Sequence, residues 1–409
     1  MTLPVVRPPT SSSKRCSPSA ERSSSFAGSV RSTPRFTPTP GSRARHGLGA
    51  ALVAALLGLT TGACGPATPP EPGTVPPPTG LNQISPPKPS ATHDRADAGA
   101  APIASASATP PAPPARFAGA DFPPPSYAPL HERTAKPEDG KWEAIPMPHG
   151  AKPSMVISTV HPHPVKGFVF VKVVAFDRRH LDLRLVAGTQ EPESKTVPDE
   201  RRPGLVPGPD QSDLVVVFNG GFKAKHGKYG MLLDGDLYVP PRDDACVVAQ
   251  YPDESIKLGS WSALSGAVDQ MSAYRQTPPC LIEQGELNPR LDSEYKSRRW
   301  GSAVGGVQDI RRSAIGLDAS GRALLYGFGD WVTPKELAQA MLAAGAQEAA
   351  QLDINWSYTR FFLFDHPPGE PPHIRETIIP KLKFSKNRYI SKSSYRDFYY
   401  VKLRPESKP

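Results

Sequence analysis

Residues 313–353 read SAIGLDASGRALLYGFGDWVTPKELAQAMLAAGAQEAAQLD, and the fold class is decided here. Two apolar runs, Ser313 to Leu317 and Arg322 to Phe328, flank Asp318, Ala319, Ser320 and Gly321. Short polar residues ending in glycine between two such runs are the pattern of a β-hairpin. Thr333, Pro334 and Glu336 then supply an N-cap, a first-turn proline and a capping-box carboxylate. Leu337, Ala338, Met341 and Leu342 fall on one helical face, and Gly345 is the stop, since glycine enters the left-handed C-terminal position freely. Ala349 to Ile354 return to strand. Hairpin, helix and strand in succession predict an α+β domain with a mixed, mostly antiparallel sheet and a few packed helices.

The neighbouring chain agrees. Leu214 to Phe218 is a continuous apolar run, read as a buried strand that breaks at Asn219, Gly220 and Gly221, where left-handed backbone is easily reached. Phe168 to Phe176 forms a second buried strand, and Leu181, Leu183 and Leu185 alternate with Asp182 and Arg184 as a half-buried one. Residues 187–213, rich in Pro, Gly and charge, read as a loop. From Arg375 onward ten basic residues stand against three acidic ones, interleaved with Tyr389, Tyr395, Phe398, Tyr399 and Tyr400. A solvated closing strand is preferred there over a surface for an anionic polymer. Order is expected to begin near Trp142, giving a domain over 141–409.

The remainder is unlike a packed core. The chain holds 51 prolines in 409 residues, and nineteen of them lie between positions 66 and 129. Residues 64–140 are therefore expected to be a disordered Pro/Ala/Ser-rich tether, extended in part as polyproline. Residues 1–63 contain eight basic side chains against Glu21 alone, leaving 40 basic and 38 acidic for the rest of the chain. The overall charge of +9 thus belongs mostly to the leader, and nucleic acid is excluded as a general partner. Gly47 to Thr60 is apolar but shorter than the roughly 20 residues that span a bilayer. Behind arginines and before small residues, it reads as an export signal. Thr61, Gly62, Ala63 and Cys64 resemble a bacterial lipobox, with Thr61 where leucine is usual. The expectation is export to the cell envelope, periplasmic or at the outer surface, with lipid on Cys64; ordinary cleavage to a soluble product is the alternative. In that oxidising setting Cys246 and Cys280 pair as a disulfide, or remain two buried thiols.

Three polar residues follow apolar strands or sit at their edges: Asn219, Arg312 and Asp353. An amide beside two glycines permits close approach to the backbone, a guanidinium suits phosphate or carboxylate, and an aspartate at a pocket mouth serves as nucleophile, base or electrostatic stabiliser. Taken singly, each also has a plain reading as turn, surface ion pair or turn cap. His226 and Asp330 are secondary candidates. Asp234 and Asp353 are carboxylates with no diagnostic metal spacing, so neither metal nor cofactor is called for.

In order, these segments resemble the phosphodiester glycosidase family, from about Phe168 to Phe364. The resemblance rests on Asn219, Gly220, Gly221 and Phe222; Gly230 and Gly235; Pro279 to Ile282 with Gly285; Arg312 to Gly316; the helix from Thr333; Gly345 and Ala346; and Leu352 with Asp353. It departs where the family continues Leu, Asp, Gly, Gly: this chain has Leu352, Asp353, Ile354, Asn355, Trp356. A second departure is the short Gly327 to Trp331 segment. The resemblance implies an exported hydrolase cleaving a sugar 1-phosphodiester or related glycosidic linkage in envelope or extracellular glycans. Arg312 would hold phosphate, Asp353 would act at the anomeric centre, and Asn219 with the Gly220 and Gly221 amides would orient substrate. Ser313, Asn355 and Trp356 would line the site. The alternatives are a carbohydrate-binding envelope lipoprotein that no longer turns over, with Trp331, Trp356 and Tyr358 as stacking faces, and an assembly lipoprotein contacting an anionic polymer. The partners expected are a carbohydrate or sugar-phosphate substrate and a membrane, through the N-terminal lipid.

Overall fold

The computed structural model describes residues 121–303 and 305–405. The leader, Cys64 and residues 64–120 of the expected tether lie outside the described residues. Among the described residues no helix is long and apolar enough to cross a membrane.

The hairpin is present as strands Ile310–Leu317 and Ala323–Val332, and Asp318 closes it by accepting the Ala323 amide at 3.0 Å. Helix Pro334–Ala343 follows with the full capping box: Thr333 accepts from the Glu336 amide and Glu336 accepts from the Thr333 amide. Strand Glu348–Gln351 is shorter than the sequence implied and pairs antiparallel with the far side of Ile310–Leu317. The helix therefore carries the chain across one strand, with Leu337, Ala338 and Met341 buried against Val171, Val173 and Leu325 of the sheet beneath.

Among the described residues there are three sheets instead of one mixed sheet, and all the ladders between their strands are antiparallel. The largest runs Glu143–Ala144, Met155–Val160, Phe170–Asp177, Ala323–Val332, Ile310–Leu317, Glu348–Gln351, Ile282–Glu283, Glu286–Leu287. The second is Asp236–Val239, Met231–Leu233, Ala273–Thr277, Cys246–Gln250, Ile256–Ser260. The third is His373–Glu376, Phe361–Asp365, Leu214–Asn219, Phe398–Leu403, Leu181–Val186. A shared core joins them: Phe176 and Tyr326 from the first sheet, Val248 and Ala273 from the second, Phe218, Phe361 and Tyr399 from the third. The Phe218 and Tyr326 rings lie 4.8 Å apart at its centre. Cys246 and Cys280 are joined as a disulfide, linking the second sheet to the approach of Ile282–Glu283.

Two expectations change. Residues 121–140 are packed chain and not tether: Phe122, Tyr127 and Leu130 rest on the core, and the Tyr127 amide bonds the Gly140 carbonyl at 3.1 Å. Aromatic anchors hold there what proline content alone would leave extended. Phe398–Leu403 is not a solvated closing strand either, because it pairs on both sides and its Tyr399 is fully buried.

Candidate functional site

The register of the third sheet builds the site. Phe398 pairs with Asn219, so Arg396 and Asp397 lie opposite the two glycines that end the Leu214–Asn219 strand. The Gly220 amide bonds the Asp397 carbonyl at 3.1 Å, and the Gly221 amide bonds Asp397 Oδ2 at 2.8 Å. Both amides expected to orient substrate are thus already spent inside the protein. Neither glycine has a positive φ. They are required for closeness: a Cβ on Gly220 would stand 2.1 Å from Asp397 Oδ2, and one on Gly221 2.8 Å from Arg275 Cζ. Arg275 and Asp397 form a fully buried ion pair at 2.8 Å. The remaining Arg275 donors reach Tyr229, Gln276 and Phe222 carbonyls. The second sheet is in this way bolted to the turn.

Asp353 comes from the first sheet. Past Gln351 the chain leaves its ladder, Leu352 bonding Ser313 at 2.8 Å and the Asp353 amide bonding the Gly220 carbonyl at 3.0 Å. The Ser313 hydroxyl donates to the Asp353 carbonyl at 2.8 Å. Asn219 donates to Ser313 Oγ at 3.0 Å, and its Oδ1 accepts the Arg360 amide at 3.0 Å and the Tyr326 hydroxyl at 3.3 Å. Asn219 and Ser313 are buried and internally satisfied, so they fix the Asp353 backbone and do not face a ligand.

The Asp353 side chain is 7 % exposed. Its Oδ1 accepts the Ile354 amide at 2.9 Å and its Oδ2 accepts from Arg396 Nη2. Burial pushes the carboxyl up to about 7, against the opposing pull of Arg396 and the Ile354 amide. Tyr358 covers this pair, its ring centroid 4.6 Å from Arg396 Cζ, and Lys223 Nζ lies 5.1 Å from the same ring. Lys223 also lines a cavity of about 470 Å³ with Tyr395, Arg202 and the carboxylates Glu191, Glu193 and Asp199, a cavity that neither Asp353 nor Arg396 lines.

Arg312 is not in this site. Its fully buried guanidinium donates to the Val332, Trp300, Gly301 and Gln308 carbonyls and to Gln351 Oε1, which ties the 300–308 loop to the sheet and leaves nothing for phosphate. Desolvation pulls it down to about 9, still charged at neutral pH. Its neighbour Arg311 pairs with Asp330 at 2.8 Å and lies 3.5 Å from the centroid of Trp356, which is half-exposed. Asn355, φ +73°, starts the exposed turn that carries Trp356 and Tyr358. His226 is exposed on the loop from Lys223, and Trp331 faces solvent. Among the described residues no group of three His, Cys, Asp or Glu side chains gathers as for a metal. Sequence reasoning missed Arg396, Asp397 and Arg275; an Arg-Asp pair entering the last apolar strand was the available signal.

Comparison with curated proteins returns no match. Solved structures align as well, three of them as follows. The zebrafish N-acetylglucosamine-1-phosphodiester alpha-N-acetylglucosaminidase catalytic domain, auto-inhibited by its pro-peptide, is 13 % identical over 64 % of this chain and 88 % of its own, with a TM-score of 0.39. A hypothetical protein from Synechocystis is 12 % identical over 61 % and 62 %, with a TM-score of 0.38. An exported protein from Burkholderia pseudomallei is 11 % identical over 58 % and 74 %, with a TM-score of 0.26. The sequence model of the family described as phosphodiester glycosidase matches residues 212–355, a segment that holds Asn219, Ser313 and Asp353 while Arg396 and Asp397 come from beyond it.

Proposed function

We propose that this chain is an exported hydrolase cleaving a sugar 1-phosphodiester, or a related glycosidic linkage, in envelope or extracellular glycans. One observation carries the reading: within the family-matched segment the buried carboxyl of Asp353 sits beside Arg396 with its proton affinity raised to about 7. A phosphate ester leaves as a stable anion near neutral pH, so strong general-acid help is less needed than for an ordinary glycoside. What remains is positive charge developing at the anomeric carbon, which an ionised Asp353 meets as nucleophile or as base for water. Lys223 and Arg396 put two cations beside it to suit an anionic substrate.

Activity through the ionised form rises with pH, and kcat/KM is expected to be half-maximal near pH 7. Arg396→Gln removes the cation that favours ionisation, so the rising limb moves to higher pH. A profile flat from about pH 5 to about pH 9 counts against the role.

A second reading, binding without turnover, draws on bulky Ile354 buried where the family has glycine and on the half-exposed Trp356 ring. Turnover of any sugar 1-phosphodiester separates the two. We also propose that lipid on Cys64 holds the domain at the envelope. Metabolic labelling with a fatty acid should mark the protein and fail with Cys64→Ser; equal labelling of both would dismiss the anchor.

A further inference from the structure

Of the five tryptophans in the chain only Trp331 and Trp356 are exposed, and both stand at one ion pair. The two strands that meet there fall out of register: Ile310 pairs with Val332 and Arg312 with Gly329, so Arg311 alone faces two residues, Asp330 and Trp331. This is a β-bulge, a device that re-aims a side chain. Asp330 stays inside and pairs with Arg311 at 2.8 Å, while Trp331 turns out to solvent and is 53 % exposed. The backbone carries the cost, since Trp331 sits at φ +60°, a left-handed conformation that bulky side chains avoid. Folding alone would favour glycine or asparagine at this position.

Trp356 reaches the same pair from the turn that follows Asp353. The Asn355 amide bonds the Arg311 carbonyl at 2.8 Å, and the Trp356 ring lies on the Arg311 guanidinium, its centroid 3.5 Å from Cζ. Arg311 is 1 % exposed and paired, so the indole rests on a fixed support while remaining 49 % exposed. Arg360 stiffens the turn: Nη1 donates to the Trp356 and Thr359 carbonyls at 3.2 and 2.7 Å, and Nη2 to the Ser357 carbonyl at 2.7 Å. Little conformational freedom is left to lose when a ligand stacks on the ring. A side chain that inserts into a bilayer projects from its backbone, whereas this one is laid flat and offers a face. The negative face of an aromatic ring attracts positively polarised C–H groups, and the flat face of a pyranose ring presents several of them together.

We propose that Trp331 and Trp356, mounted on the Arg311–Asp330 pair, form a stacking platform for a glycan, and that the substrate is an oligosaccharide or polysaccharide and not a single sugar unit. The inference deepens the hydrolase reading and rests on it for the bond that is cleaved. Trp356 follows Asp353 by three positions, which places the platform beside the reacting carboxyl. Both tryptophans also stand where this chain departs from the family pattern, one in the segment after Asp353 and one at the end of Gly327 to Trp331. The platform is thus a property of this chain.

The test is binding of chitopentaose, cellopentaose and maltopentaose to the full chain, each compared with its own monosaccharide, by calorimetry and tryptophan fluorescence. At least one pentaose should bind about tenfold or more tighter than its monosaccharide and change the fluorescence. Trp356→Ala should weaken that binding about tenfold, and Trp356→Phe should restore part of it, because a smaller ring still offers a face. Trp331→Gly separates ligand from fold. Glycine relieves the positive φ, so urea unfolding should show stability equal to wild type or higher while pentaose affinity falls about tenfold. Should that variant not fold, Trp331→Asn, which tolerates the same backbone, gives the same comparison. Binding of none of the three pentaoses, unchanged pentaose affinity in the folded variants, or fluorescence that answers to phosphatidylcholine vesicles and to no pentaose overturns the platform. Pentaose binding without turnover of any sugar 1-phosphodiester sinks the hydrolase reading and spares the platform; turnover without pentaose binding does the reverse.

Discussion

Asp353→Asn is expected to lower kcat/KM on a sugar 1-phosphodiester by about a thousandfold or more, which is roughly 4 kcal/mol of transition-state stabilisation. Asparagine fits the same space and still accepts the Ile354 amide, so the site keeps its shape while losing the charge that meets the anomeric carbon. The fold provides an independent check. The native carboxyl ionises near 7 against an ordinary value of 3.8, so it is protonated in the folded chain and ionised in the unfolded one between those values. Wild type therefore loses stability from this group as pH rises from about 4 to about 7, and the variant does not. Relative to wild type, Asp353→Asn should look more stable at pH 8 than at pH 4. Turnover within tenfold of wild type would end the assignment.

The largest stability effect is expected at the ion pair beneath the turn. Arg275→Met or Asp397→Asn leaves one charge buried without its partner, at a cost of about 3–5 kcal/mol in urea unfolding. Asp397 also holds the Gly221 amide, and Gly220 in turn receives the Asp353 amide, so the loss propagates to the carboxyl. The double variant Arg275→Met with Asp397→Asn should be less unstable than the two single costs summed, by about 1 kcal/mol or more, since no lone charge remains. Strict additivity would mean that the pair is not coupled as the geometry has it.

Local signals were legible. The hairpin at Asp318–Gly321 and the capped helix from Thr333 depend on neighbours in the chain, and both formed where the residue pattern put them. Partition into three sheets was not legible, because it depends on pairings such as Asn219 with Phe398 that no local pattern encodes. The same limit governs the site. Asp353 stood out as a polar residue following a strand, yet an arginine at a strand edge looks alike in sequence whether its fork meets solvent or carbonyls. Arg312 meets carbonyls, and the cation beside Asp353 comes from 43 positions further along. The two glycines were readable as a close approach, but what approaches is the Asp397–Arg275 pair and not a ligand.

The central claim is that Asp353 directs chemistry to the sugar carbon of a sugar 1-phosphodiester. Hydrolysis in heavy-oxygen water, with both products weighed by mass spectrometry, tests it most directly. The label is predicted in the hydroxyl of the released sugar, with an unlabelled phosphomonoester. Label in the phosphate, or no product from any sugar 1-phosphodiester offered to the folded chain, would contradict it.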